Sequence, residues 1–183
     1  DEGMLSAAFR ADNNSAAGLD GWHPSDFALL SNGAVRLLAS LLKHIEAGGR
    51  WPEAVTTTRA VFLPKNPDKA HDPLAYRILN ISSALYRKWG SVRLRQLRPW
   101  IDAWDDVGLN AGVPGKSATD AWHATALDIE FAQTKGLEFA GGSLDIYKCF
   151  DQLNRDLMYR LAAKAGMPTG IFHAYRTFVD SME

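Results

Sequence analysis

One segment of the chain carries an acid in a position that suits a divalent metal ion. Residues 143–151 read SLDIYKCFD, and Asp145 stands at the end of an apolar run that we predict to be a strand. A carboxylate placed there can bind Mg²⁺, a hard cation that prefers one or two carboxylates together with substrate phosphates. The alternative is that Asp145 caps the following helix and Asp151 stabilises its first turn. The segment leaves both interpretations open.

A lysine and an arginine stand near the tip of a predicted β-hairpin. The apolar residues of 59–63 and of 76–81 predict two strands, joined by a loop over 65–75 that is rich in Pro, Asp and Asn. Lys65 directly follows the first strand and Arg77 lies on the second. Together they could clamp a triphosphate, because a guanidinium binds phosphate oxygens bidentately and an ammonium acts as a point charge. The alternative is that both cations protect a sheet edge from pairing.

The charge of the chain is unevenly distributed. The net charge is −1, yet residues 50–98 contain ten Lys or Arg against three acids, so this segment carries +7 and the rest carries −8. Four of its cations fall within about a 100° arc of a predicted helix: Arg87, Lys88, Arg95 and Arg98. Such polarisation favours a polyanionic partner such as nucleic acid. A solvated basic face is the alternative.

Length and composition exclude several classes of protein. The chain has 183 residues, of which 46% are hydrophobic and 22% charged. These values fit one globular domain and exclude disordered and collagen-like chains. No apolar run approaches the roughly 18 residues of a membrane span, and the acidic N-terminus is unlike a signal peptide. Because the single cysteine, Cys149, cannot form an internal disulfide, we expect an intracellular protein, nuclear or cytoplasmic. Because no apolar run could span a membrane, we expect no membrane partner.

Most other elements are predicted to be helical. Apolar spacing, capping residues and glycine stops predict helices at the N-terminus, from Pro24, around 35–45, over 83–97, from Ser117 to about Gln133, over 154–165 and from about Gly170. Ser117 and Asp120 have the spacing of a capping box. Two further short strands are predicted over 137–140 and 144–147. The pattern indicates a helix-rich α+β fold with few strands.

Five segments, in order, resemble the reverse transcriptases of non-LTR retrotransposons and group II introns. The first is AAGLDGW at 16–22, similar to Lys-Ala-Pro-Gly-x-Asp-Gly, and the second is VFLPK at 61–65 with YRILNISSALYRK at 76–88, similar to the fingers hairpin and its following helix. The third is GVPGKSATDA at 112–121, similar to Gly-Phe-x-x-Gly-x-Ser-x-x-Asp. The last two are DIYKCFD at 145–151, similar to the palm motif Asp-x-x-Lys-Ala-Phe-Asp, and GMP at 166–168, similar to Gly-x-Pro. No single segment is decisive, but five in the correct order are specific.

The resemblance implies roles for individual residues. In a complete RNA-directed DNA polymerase of this type, two Mg²⁺ ions would promote nucleotidyl transfer to a DNA primer on an RNA template. Asp145 would be the catalytic metal ligand, and the backbone carbonyl of Ile146 would add a second ligand. Lys65 and Arg77 would bind the triphosphate of the dNTP. Phe150 would lie under its sugar as a steric gate.

The resemblance also implies an incomplete polymerase. Residues 1–136 would form a fingers subdomain and 137–183 the first strand and helices of a palm. The family needs further aspartates from an aromatic-x-Asp-Asp turn, and the chain ends at Glu183 before one. Since the chain also begins without Met, we expect a fragment whose partners include the remaining palm and the thumb. Such a fragment is expected to be inactive alone.

The sequence departs from the family pattern at a few positions. Ile78, Asn110, Val113 and Cys149 stand where Pro, Gln, Phe and Ala are usual. These changes suggest a divergent copy and leave the candidate site residues in place. A second function, from a different class, stays open: a non-catalytic, nucleic-acid-binding remnant of a retroelement that keeps the basic fingers surface.

Overall fold

The computed structural model describes residues 2–11, 15–69, 71–103, 108–113, 115–147 and 149–182, with the backbone only for Phe150 and Asp151. These residues form α-helices and one antiparallel β-hairpin, which confirms the predicted α+β class. The helices are α1 (Glu2–Arg10), α2 (Asn32–Glu46), α3 (Glu53–Thr56), α4 (Ala84–Asp102), α5 (Ala118–Lys135), α6 (Cys149–Gln152), α7 (Arg155–Lys164) and α8 (Thr169–Asp180). The strands are β1 (Arg59–Pro64) and β2 (Tyr76–Ile81).

Contacts along the chain define two compact units. The first contains residues 1–97 and 162–183, and the second contains residues 98–161. The predicted boundary between fingers and palm, at residue 137, does not coincide with this division. It stays a prediction, because compact units defined by contacts are not the same as functional subdomains.

The first unit has a hydrophobic core built mainly from α1, α2, α4 and α8. Helix α2 begins at Ser31, whose Oγ accepts a hydrogen bond from the Ala34 N–H, as expected of an N-cap serine. Its buried face follows helical spacing and consists of Val35, Ala39, Leu42 and Ile45. The helix ends before Gly48, where the sequence predicted a stop.

Trp51 lies at the centre of this core. Its ring packs edge-on against Trp89 and Phe178, with centroids 5.4 and 5.7 Å away. Its Nε1–H donates to the carbonyl oxygen of Ala174 at 2.7 Å. Because the indole N–H is satisfied, the whole side chain can be buried without leaving an unpaired donor.

An ion pair of low exposure joins α2 to α4. The Glu46 carboxylate accepts hydrogen bonds from Nε and Nη2 of Arg93, at 2.5 and 2.8 Å, and from Nε1 of Trp89 at 2.7 Å. Both charged side chains are about 15% exposed. The three donors offset the cost of removing this carboxylate from water.

The two strands predicted over 137–140 and 144–147 are wrong. Residues 137–140 and 144–147 are not in strands, and Leu144 is 99% exposed. Apolar alternation predicted these strands, but a strand needs a hydrogen-bonded neighbour, and in the described residues the only ladder is that of β1 with β2. The short helix predicted from Pro24 is present as a 3₁₀ helix over Asp26–Leu29.

No helix in the described part of the chain is both long enough and apolar enough to cross a bilayer.

Candidate nucleic-acid interface

The β-hairpin brings Lys65 and Arg77 close together. Leu63 of β1 lies opposite Arg77 of β2, and the N–H of Lys65 donates to the carbonyl of Ala75 at 2.8 Å, one step beyond the strand. Because side chains alternate between faces, Lys65 lies diagonally across from Arg77 on the same face. Both side chains are exposed. The hairpin therefore presents, on one face, the two cations that were predicted from the sequence to bind a triphosphate together.

Short local hydrogen bonds shape the tip of the hairpin. The Asp72 carboxylate accepts from the N–H of Leu74 at 2.9 Å, and Oδ1 of Asn66 accepts from the N–H of Asp68 at 3.0 Å. These bonds belong to Asx turns, which hold a chain reversal without tertiary contacts. Asn66 and Asp72 thus shape the described parts of the tip.

Both faces of the hairpin expose apolar side chains. Phe62 and Ile78 lie opposite each other and are 58% and 63% exposed. On the other face, Leu63 and Leu79 are 45% and 46% exposed. A hairpin whose faces both lack a partner is marginally stable, and an exposed apolar patch commonly marks an interaction site. Apolar surface beside cations suits a ligand with flat bases and phosphates.

Lys88 does not belong to an exposed basic surface. It is 6% exposed, and its Nζ donates to the carbonyl oxygens of Ala8 and Ala11 at 2.8 and 2.9 Å. A lysine that binds carbonyls at the end of α1 stabilises that helix terminus. Lys88 is therefore unavailable to a nucleic-acid phosphate in this structure. A helical arc shows which residues share a face, but it does not show which chain segment covers that face.

Arg87, Arg95 and Arg98 also differ from one another. Arg87 is half-buried and donates from Nη1 to Ser15 Oγ at 2.9 Å and from Nη2 to the carbonyl of Ala16. Arg98 is exposed and pairs with Asp102, with Nε 2.7 Å from the carboxylate. Arg95 is exposed. The four predicted nucleic-acid-binding cations thus do not form one uniform surface.

The first of the five segments, at residues 16–22, packs against the start of α4. Ser83 Oγ donates to the Asp20 carboxylate at 2.6 Å. A Cβ on Gly18 would lie 2.9 Å from the Cα of Ser83, so only glycine fits this close approach. Two segments that carry the family resemblance are therefore neighbours in space. This contact was not predicted from the sequence, although Gly18 and Asp20 were the residues that could have indicated it.

The segment at 112–121 forms the start of α5. Ser117 and Asp120 make the predicted capping box, in which the Asp120 carboxylate accepts from the N–H and the hydroxyl of Ser117. The hydroxyl bond and the backbone bond hold the pKa of Asp120 below its ordinary value. Gly112 and Gly115 have φ of 72° and 88°, which explains glycine at both positions.

Asp145 and Ile146 are exposed, and the side chain of Phe150 lies outside the described part of the structure. Within the described residues, no group of three or more His, Cys, Asp or Glu is placed to hold a metal ion. A two-metal site needs more carboxylates than Asp145 alone, so these residues do not compose one. Both interpretations of Asp145, as a metal ligand and as a helix cap, stay predictions.

The chain was compared with protein-family models and with curated proteins. No protein-family model matches the chain, and no curated protein matches it either. The resemblance to reverse transcriptases therefore depends on the order of the five segments.

Proposed function

We propose that this chain is the fingers part of a reverse transcriptase-like polymerase and binds nucleic acid through its β-hairpin. The partners would be an RNA template, a DNA primer and an incoming dNTP. The observation that supports this most strongly is the hairpin itself, which combines exposed apolar faces with Lys65 and Arg77 on one face.

Each part of the hairpin would contact a different part of the ligand. Lys65 and Arg77 would bind phosphate oxygens, because both cations are exposed and diagonal neighbours. Leu63 and Leu79 lie on the same face as these cations and are exposed, so they would pack against the sugar or base next to the bound phosphate. Phe62 lies on the opposite face, where it would stack on a base of a second segment of the nucleic acid, an interaction that contributes about 1–3 kcal/mol per base.

The proposal for this chain is binding rather than catalysis. A complete enzyme would need carboxylates beyond the described residues to hold two metal ions. Asp145, with the carbonyl of Ile146, is the proposed metal position in such an enzyme. Phe150 is the proposed contact to the sugar.

The direct test is a binding titration with an RNA–DNA duplex that carries a single-stranded template overhang. The double variant Lys65→Gln/Arg77→Gln should bind more weakly at low salt. The magnitude of its slope of log K against log salt should fall by about 2, since two phosphate contacts are lost. The matched control is Arg36→Gln/Lys43→Gln, which removes the same charge from exposed positions of α2. If both double variants bind alike, the hairpin is not the interface.

The second candidate function is a nucleic-acid-binding remnant that does not use nucleotides. It would use the same exposed cations of the hairpin, Lys65 and Arg77, and would need no metal ion. The two functions differ in their response to a dNTP. A fingers module should bind the duplex more tightly when the dNTP complementary to the next template base is present, and Lys65→Gln should abolish this gain. A remnant should show no difference between complementary and non-complementary dNTP.

A further inference from the structure

A small polar recess lies between the end of α1 and α4, within the first unit. Its volume is about 100 Å³, and its polar lining consists of Ser15, Arg87, Lys88, Ser91 and Arg95. Among the described residues that line it there is no carboxylate. The recess is therefore strongly positive and small.

We propose that this recess binds a single phosphate-sized oxyanion. Arg87, Ser91 and Arg95 are spaced four residues apart along α4, so they form one stripe on the same side of the helix. The stripe supplies two guanidinium groups and a hydroxyl, which are the donors that phosphate oxygens accept from. A recess of this size accommodates one tetrahedral anion.

Two side chains of the stripe are available to an anion. Those of Ser91 and Arg95 are exposed and make no hydrogen bond or ion pair with a described residue. Arg87 is held in place through its two Nη atoms, and its buried Nε has no partner among the described residues. Because a buried unpaired donor is unfavourable, negative charge in the recess would stabilise Arg87 in this position.

Lys88 adds charge from the side of α1. Its Nζ, which binds the carbonyls of Ala8 and Ala11, is fixed beside the recess instead of moving with solvent. Lys88 thus already links α4 to the end of α1, and its fixed charge would attract an anion to the recess. Binding should then stabilise the folded protein, because any ligand that binds only the native state does so.

This inference stands apart from the proposed hairpin function. The ligand chemistry is a phosphate oxyanion, and its source is either free inorganic phosphate or one backbone phosphate of a nucleic acid. Only the second source is connected with the proposed function. The experiment therefore has one arm for each source.

The first arm uses inorganic phosphate, with chloride at matched ionic strength as the reference. Phosphate should raise the unfolding temperature of the full chain. Above the dissociation constant, this temperature should increase in proportion to the logarithm of the phosphate concentration. Arg95→Gln should weaken phosphate binding about tenfold or more, because a charge-assisted hydrogen bond is lost. Ser91→Ala should weaken it less.

The matched controls change the same residue types on α2. Arg36 and Ser40 are both exposed and four residues apart, so Arg36→Gln and Ser40→Ala repeat the chemistry without touching the recess. Both controls should keep the full phosphate effect. The proposal is overturned if the wild type shows no phosphate-specific rise, or if Arg95→Gln responds to phosphate as Arg36→Gln does.

The second arm adds a short oligodeoxynucleotide in the presence and absence of phosphate. If phosphate and oligodeoxynucleotide compete, and Arg95→Gln weakens both, the recess binds a backbone phosphate. If phosphate binds through Arg95 but the oligodeoxynucleotide does not displace it, the ligand of the recess is free phosphate. Failure of the hairpin proposal would be visible separately, as duplex binding that ignores Lys65 and Arg77.

Discussion

The two compact units of this chain differ in how far their large apolar side chains are buried. In the first unit Phe9, Ile45 and Phe178 are at most 2% exposed and lie in one core. In the second unit Trp122 and Phe131 of α5 are 68% and 59% exposed. Its buried apolar residues, among those described, are Val113, Ala132 and Tyr159. Burial therefore stabilises the first unit much more than the second.

The comparison shows that a helix can be specified locally without being packed. Helix α5 has a capping box at Ser117 and a left-handed glycine at Gly136, so both of its ends are defined by nearby residues. Such signals contribute about a kilocalorie each, whereas most of the stability of helices in proteins comes from packing of an apolar face. We expect the second unit to open more readily than the first.

The largest expected difference between the two units is the loss of unfolding free energy when an aromatic side chain is truncated. Phe178→Ala should lower the free energy of unfolding by about 3–5 kcal/mol, because it removes a buried ring and leaves a cavity beside Trp51. The matched change Phe131→Ala, in α5, should alter it by no more than about 0.5 kcal/mol. Urea unfolding of both variants measures the difference. Similar losses in both would show that the second unit also has a packed core.

The next difference is the stability cost of replacing one lysine in each unit. Lys88→Met should cost about 1–3 kcal/mol, since the carbonyls of Ala8 and Ala11 lose a buried donor. Lys135→Met, at an exposed position in α5, should cost far less. Limited proteolysis should cleave near α1 faster in the Lys88 variant alone. Equal stability of the two variants would mean that Lys88 is not a structural cation.

The smallest difference concerns the capping box of α5. Ser117→Ala should destabilise that helix by about 1 kcal/mol and raise the pKa of Asp120 towards its ordinary value, because the hydroxyl that lowers it is lost. In the wild type a lowered pKa means that the carboxylate stabilises the folded state above about pH 4. That contribution is lost as pH falls through the lowered value.

An NMR titration of the Asp120 carboxylate compares Ser117→Ala with wild type. Ser40→Ala, on the exposed side of α2, is the control and should leave the Asp120 pKa unchanged. An unchanged pKa in Ser117→Ala would remove Ser117 as the cause of the shift.

The sequence predicted elements better than it predicted contacts. The hairpin, α2 and the capping box at Ser117 follow from signals within a few residues, and they are confirmed. The role of Lys88 could not be predicted in this way, because its partners are the carbonyls of a helix far away in the chain. The strand predicted over 144–147 failed for the same reason, since a strand depends on a neighbour.

The sequence likewise predicted those parts of the candidate site that depend on nearby residues, and not those that depend on distant contacts. Lys65 and Arg77 are close in space because hairpin register is a local property. The recess beside Arg95 depends on α1 packing against α4, so helical spacing indicated its cations but not its enclosure.

The measurement that tests the central claim most directly is backbone amide NMR during titration with an RNA–DNA duplex. We predict that the largest shifts occur in Arg59–Pro64 and Tyr76–Ile81, while the amides of α5 change little. The Lys65→Gln/Arg77→Gln variant should lose these shifts and the Arg36→Gln/Lys43→Gln control should keep them. Shifts confined to the second unit, or a hairpin unaffected by saturating duplex, would contradict the assignment of the hairpin as the nucleic-acid interface.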